Sequence, residues 1–394
     1  MAVNKIDLNN LDKSNWKSFR FDEIAQNISE RVDPNNTDLE VYIGLEHIDS
    51  ESLHIKRFGT SDDVNGQKLK FYKGDIIFGR RRAYQRKAGI VTCDGFCSAH
   101  SLVLRANPEV IAQELFPFFL HSDLFMHRAV DISVGSLSPT INWGTLKGQQ
   151  FLLPPKEMQT RLAGLLWSLE DALESEGLVR MTLNKVRLSI REKLLYSSDH
   201  PRVKLGGLVN SIVAGKSLNG ENISPQNNEK AVLKVSAVGP SGFAPNESKV
   251  LHDQNGFLTK FQINEGDILI TRANTAELVG RVCLVDSSYP NLMLCDKTLK
   301  LVIDKGKVDN DYLVEVLNSY ESRRQIESFA TGTGGAMKNI TQNEILSIKI
   351  PLPKLQEQKK LAKKIRLLKD NYRNHVGQEK QAYGLKKNIL NQVF

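Results

Sequence analysis

Of 394 residues, 40% are hydrophobic and 25% charged, which is ordinary for a globular chain and unlike a disordered one. The length suits two or three domains, and the formal net charge of +8 points toward a polyanionic partner such as nucleic acid. Four cysteines (Cys93, Cys97, Cys283 and Cys295) are too few for a disulfide scaffold. No apolar run approaches the roughly 18 residues of a membrane span, and residues 1–8 lack a signal-peptide core, so a cytoplasmic protein away from the membrane is expected.

Residues 1–15 form a polar extension. Strand-like runs follow at 40–45, at 75–78 after a glycine turn, at 89–92 and at 101–104, and a helix is predicted near 109–130. From 156 to 195 there is no proline. Apolar residues fall at Leu162, Leu166, Leu169 and Leu173, then after Gly177 at Val179, Leu183, Val186, Ile190 and Leu194. Spacings of three and four describe a long helix with a narrow apolar stripe. The same order then starts again. Strands are predicted at 231–235, 267–270, 281–285 and 299–303, a helix near 309–328, and a second long helix carrying Leu361, Ile365, Leu368 and Tyr372, then Leu385, Ile389 and Val393.

The recurrence is a true internal repeat. Pro154 and Pro353 stand 199 apart, as do Gln159 and Gln358, and apolar positions keep that register to Leu194 and Val393. Upstream the offset drifts: Gly135 answers Gly332 at 197, and Gly74-Asp75-Ile76 answers Gly266-Asp267-Ile268 at 192. The entry segments near Arg20 and Lys204 match only loosely, at 184. Two α+β halves are therefore expected, residues 1–155 and 199–353, each followed by a long helix at 156–198 and 354–394. If a pseudo-twofold axis relates the copies, the helices run antiparallel as a coiled coil; the plainer alternative packs each helix on its own domain.

Several chemistries are absent. Gly215-Lys216-Ser217 lacks the glycine five residues upstream that a phosphate loop needs, because position 210 is Asn. The glycines at 332–335 follow a helical stretch, not a strand, which argues against a dinucleotide fold. Cys93, Cys97 and His100 have no counterpart in the second copy and no evident fourth ligand, so idle thiols are expected, not zinc. No methyltransferase signature and no nuclease core occurs, and none of the histidines belongs to a constellation shared by both halves. The chain is expected to catalyse nothing and to hold no metal.

Two surfaces carry binding chemistry. Arg80-Arg81-Arg82-Ala83-Tyr84-Gln85-Arg86-Lys87 follows a strand, and the second copy places Arg272-Ala273-Asn274-Thr275 at the same strand end. Arginine suits phosphates and guanine edges, while tyrosine and glutamine add stacking and adenine-type contacts. A solvated basic loop is the plain alternative. The second surface precedes the proline motif: Ser138 and Asn142 in the first copy, Thr333, Lys338 and Asn339 in the second. Small polar side chains near glycines suit close approach to DNA, and equally suit ordinary turns.

Three features together resemble the specificity (S) subunit of type I restriction–modification systems. These are the Gly-Asp-Ile strand entries, the glycine loops leading through Ile141 or Ile340 to a hydrophobic-Pro segment, and the proline-led Gln…Leu-Ala helix starts at 155–163 and 354–362. The resemblance covers nearly the whole chain, twice. It implies that each half is a target recognition domain for one part of a split sequence in double-stranded DNA. It implies too that the helices set the spacing and dock two modification (methyltransferase) subunits, with Leu162, Leu166, Leu169, Leu173, Leu361, Ile365, Leu368 and Tyr372 on the coiled-coil face. S-adenosylmethionine would sit on those partners, ATP and Mg on restriction subunits, and no cofactor on this chain. Forty helical residues would span about 60 Å. A specificity subunit of another restriction system, a stand-alone DNA binder and a non-DNA interaction scaffold remain as alternatives.

Overall fold

The computed structural model describes residues 11–197, 199–226, 228–332 and 337–394. Two compact units result. One combines Met1–Val179 with Val376–Phe394; the other is Arg180–His375. Both are α+β.

The repeat reappears as strand order. In the first unit an antiparallel sheet runs Ala25–Ile28, Ser101–Ala106, Ile76–Gly79, Ala88–Ile90. In the second unit the order Val209–Ala214, Thr298–Ile303, Ile268–Thr271, Val282–Leu284 repeats it strand for strand. Ile76–Gly79 and Ile268–Thr271 are buried at every position, as continuous apolar runs in a central strand must be. A second sheet in each unit shares three strands. Lys68–Phe71, Gly95–Cys97 and Tyr42–Ile43 correspond to Gln262–Ile263, Tyr289–Met293 and Ala231–Leu233, and the last pairing is parallel in both. The edges diverge: Arg31–Val32 is added in the first unit, Ser248–Leu251 and Gly220–Glu221 in the second.

The Gly-Asp-Ile motif is structural. Gly74 and Gly266 sit at φ +91° and +82°, where a side chain would be strained. Asp75 then accepts from the Tyr72 backbone N–H at 2.9 Å, and Asp267 from that of Asn264 at 2.9 Å. Each aspartate also holds a cation from the neighbouring strand, Arg105 at 2.7 and 2.9 Å and Lys300 at 2.9 Å.

The single helices predicted near 109–130 and 309–328 are each two helices. Phe116–His121 and Asp123–Asp131 meet at Ser122, and Asn310–Leu317 is separated from Tyr320–Phe329 around Ser319. Each serine is extended, and its Oγ accepts from the N–H three residues on, Phe125 or Ser322. N-capping restarts the helix where periodicity alone reads through. The predicted strand at 40–45 contracts to Tyr42–Ile43.

The proline–glutamine pairs Pro154/Gln159 and Pro353/Gln358 each form a buried clamp. Gln159 accepts from the Ala112 N–H at 2.6 Å and donates to the carbonyls of Val110 (3.0 Å) and Pro154 (2.9 Å). Gln358 repeats this with the Asp309 N–H (2.9 Å) and the carbonyls of Lys307 (3.0 Å) and Pro353 (2.8 Å). Gln159→Ala leaves a donor and two acceptors without partners, so a loss of about 3 kcal/mol is expected in urea unfolding. A change below about 0.5 kcal/mol would show that the clamp does not hold the helix start.

The long helices are Lys156–Tyr196 and Leu355–Val393. Within the first unit, Leu162 and Leu166 share a core with Ile389, Leu390 and Val393, while Glu170 pairs with Lys386 and Gly177 lies against Glu379. Early residues of one helix meet late residues of the other, so the pairing is antiparallel. Within the second unit, Leu195 shares a core with Ala362 and Ile365, and the Arg187 guanidinium lies 5.0 Å over the Tyr372 ring. Both packing alternatives hold at once: Leu162, Leu166 and Ile365 also pack into the globular cores. Leu173 is buried, and Leu169, Leu361, Leu368 and Tyr372 are half-buried.

One expectation is corrected. Val179, Leu183, Val186 and Ile190 do not continue the covered stripe; all four are exposed. At about 100° per residue Leu183 lies about 100° around the helix from Leu166, so a single partner helix covers one and not the other. Among the described residues, no helix is long and apolar enough to cross a membrane.

Candidate nucleic-acid interface

The two surfaces singled out in each half, more than 50 residues apart in sequence, are stitched together. In the first unit the Arg80 carbonyl, at the end of Ile76–Gly79, accepts from the Ile141 N–H at 2.9 Å. Arg81 bridges Thr140, and the Arg82 N–H donates to the Pro139 carbonyl at 2.7 Å. In the second unit the Arg272 carbonyl accepts from the Ile340 N–H, again at 2.9 Å, and Ala273–Asn274 pairs with Lys338–Asn339. Each half thus presents one composite surface, built by the same hydrogen bond.

The basic run in the first unit divides its labour. Arg82 and Arg86 adopt left-handed backbone at φ 54° and 52°, which costs a non-glycine residue about 1–2 kcal/mol each. Anchors offset that cost. Arg86 reaches Asp123 at 2.5 Å, Glu51 at 3.3 Å and the His121 carbonyl at 2.8 Å, and Lys87 donates to the Leu45 carbonyl at 2.6 Å. These two cations hold the loop. Arg81, Arg82 and Tyr84 are exposed, Arg80 and Gln85 half-buried. Asn142 is exposed, and Ser138 is half-buried with its carbonyl accepting from the Thr140 hydroxyl at 3.1 Å. Val134 and Leu137, at 69% and 93% exposure, form an apolar tip on the stitched loop that side-chain chemistry had not marked out.

The second surface is sparser in charge. Arg272 is half-buried, and Lys297, whose carbonyl accepts from the Arg272 N–H, adds an exposed cation missed in the sequence. Asn274 is buried, with its side-chain oxygen accepting from the Thr275 N–H at 2.9 Å, so it shapes the turn. Lys338 braces the loop on the Gly332 carbonyl at 3.1 Å; Thr275 and Asn339 are exposed. Thr333 lies outside the described residues.

Basic residues also converge beyond the predicted run. His100 is held below its ordinary value by partial burial first, then by Arg81, Arg80 and Lys68. Arg31 and Lys68 were invisible as partners of Arg80 because they stand far from it in sequence. Burial pushes the Cys97 and Cys283 thiols up to about 12, which keeps them protonated and unreactive. Among the described residues, no group of three or more His, Cys, Asp and Glu side chains could hold a metal ion.

The family described as the type I restriction modification DNA specificity domain matches residues 198–381. The putative type I restriction enzyme MjaX specificity subunit of Methanocaldococcus jannaschii is 23% identical over 374 residues, covering 88% of this chain and 84% of the relative. The type I restriction enzyme EcoEI specificity subunit of Escherichia coli is 29% identical over 130 residues, which is 33% of this chain but only 22% of that relative's length. A solved chain of the type I R-M system shares the fold with a TM-score of 0.65 at 18% identity, covering 96% of this chain and 97% of its own. The repeat, the sheet order and the clamp are present in both halves, and the chain is similar over its second half to the type I restriction modification DNA specificity domain.

Proposed function

We propose that the chain supplies the DNA address of a type I restriction–modification enzyme, each globular half reading one part of a bipartite duplex target. The carrying observation is the composite surface made twice from a strand-end arginine and a glycine-containing loop. In this reading residues 1–155 and 199–353 are the target recognition domains, and 156–198 and 354–394 are the helices that set the spacing. Arg81, Arg82, Tyr84, Gln85, Ser138 and Asn142 face the first half-site; Arg272, Thr275, Lys338 and Asn339 face the second. Arg86, Lys87 and Asn274 keep those groups in place. Methyl transfer from S-adenosylmethionine and ATP-driven cleavage belong to modification and restriction subunits, and this chain performs neither. The modification subunits cover apolar helix residues left in solvent, such as Met181, Leu183, Val186 and Ile190.

The test is binding of duplex DNA by the chain assembled with its modification subunits, across a salt series and with competitor sequences. A preferred bipartite sequence and a steep fall of affinity with salt are expected. An assembled complex with no sequence preference and little salt slope would remove this reading.

A further inference from the structure

A cleft of about 240 Å³ opens in the first unit beside the arginine loop, where the edges of its two sheets meet. Asn27, Arg31, Gln67, Lys68, Arg80 and Ser101 are among its lining residues, and no carboxylate is. Two buried polar atoms on this one cleft are left over by the fold. Arg80 Nε has no hydrogen-bond partner. Ser101, only 1% exposed, has none for its Oγ beyond the neighbouring Cys97 thiol, a poor acceptor. Buried donors are almost always satisfied, so two orphans on residues that line one cleft call for a ligand. The charge says which kind. Arg31 and Arg80 have no ion-pair partner among the described residues, and Lys68 is fixed beside them on the Gly66 carbonyl at 3.1 Å. Three cations without an acid suit an anion, whereas the neutral edge of a base pair would need one bidentate arginine.

We propose that this cleft seats one backbone phosphate of the DNA duplex, with the Arg80 Nε–H and the Ser101 hydroxyl as direct donors and Arg31 and Lys68 as flanking charges. The assignment rests on the DNA reading above and extends it to an anchoring point. Arg80 is both a wall of this cleft and the residue stitched to Ile141. A phosphate held there fixes the register of Arg81, Arg82 and Tyr84 against the base edges.

The experiment uses the chain assembled with its modification subunits and duplexes carrying a single uncharged methylphosphonate, moved position by position through the first half-site. One position is expected to lower wild-type affinity about tenfold and to have no further effect on Arg80→Gln. Arg80→Gln, Arg31→Gln and the double variant should each flatten the log-affinity against log-salt slope by about one, equally on target and scrambled duplexes, because all act on one phosphate. Arg80→Lys should keep the slope and lose part of the affinity. A scan with no sensitive position, or a loss confined to one base pair of the target with the slope unchanged, would overturn the cleft while leaving the DNA reading intact. A wild-type complex without salt slope would remove the DNA reading and the cleft with it.

Discussion

Leu166→Asp is expected to unfold the first unit. Leu166 is fully buried in a core that joins the start of the first long helix to Ile389, Leu390 and Val393. Truncating a buried leucine costs about 3 kcal/mol, and a carboxylate without a partner in that place costs several more. The sum is comparable with the whole stability of a domain, about 5–15 kcal/mol. Loss of the cooperative thermal transition, or of soluble protein, is the outcome to look for. Leu183→Asp makes the contrast. Leu183 is 40% exposed, so the fold should change by no more than about 0.5 kcal/mol while assembly with modification subunits falls. If Leu183→Asp assembles normally in size-exclusion chromatography, the exposed apolar face of that helix is not the docking surface.

The second large effect is on DNA. Arg81→Gln together with Arg82→Gln should weaken binding by the assembled complex about 10–100-fold at physiological salt, since each removes a charge-assisted contact. Both side chains are exposed, so melting temperature and assembly should stay as in the wild type. Arg86→Gln should behave differently. It removes the guanidinium that Asp123, Glu51 and the His121 carbonyl share, so stability falls along with affinity. If Arg81 and Arg82 instead behave like Arg86, with assembly lost and stability lowered, the loop belongs to the scaffold.

The sequence by itself determined the duplication, the order of elements and the α+β class. These follow from local rules that both copies obey: glycine before a strand, a three-and-four apolar spacing, proline before a helix. Gln159 and Gln358 kept their register because each closes the same three hydrogen bonds at a helix start. The break at Ser122 was less legible, since a serine reads as an N-cap only once the turn before it is known to end. The tertiary structure alone decided how the candidate residues are used. Arg80 and Ile141 come together by a backbone hydrogen bond across the domain, which no local pattern encodes. Arg86 and Lys87 look like their neighbours in sequence, and only their surroundings turn them inward. The same holds for Leu183, whose spacing resembles that of Leu166 although it faces solvent. Arg31, Lys68 and Ser101 became parts of one cleft because sheet edges bring distant positions side by side. Local propensity is written residue by residue; which cation is an anchor and which stays free depends on what the rest of the chain leaves unpaired.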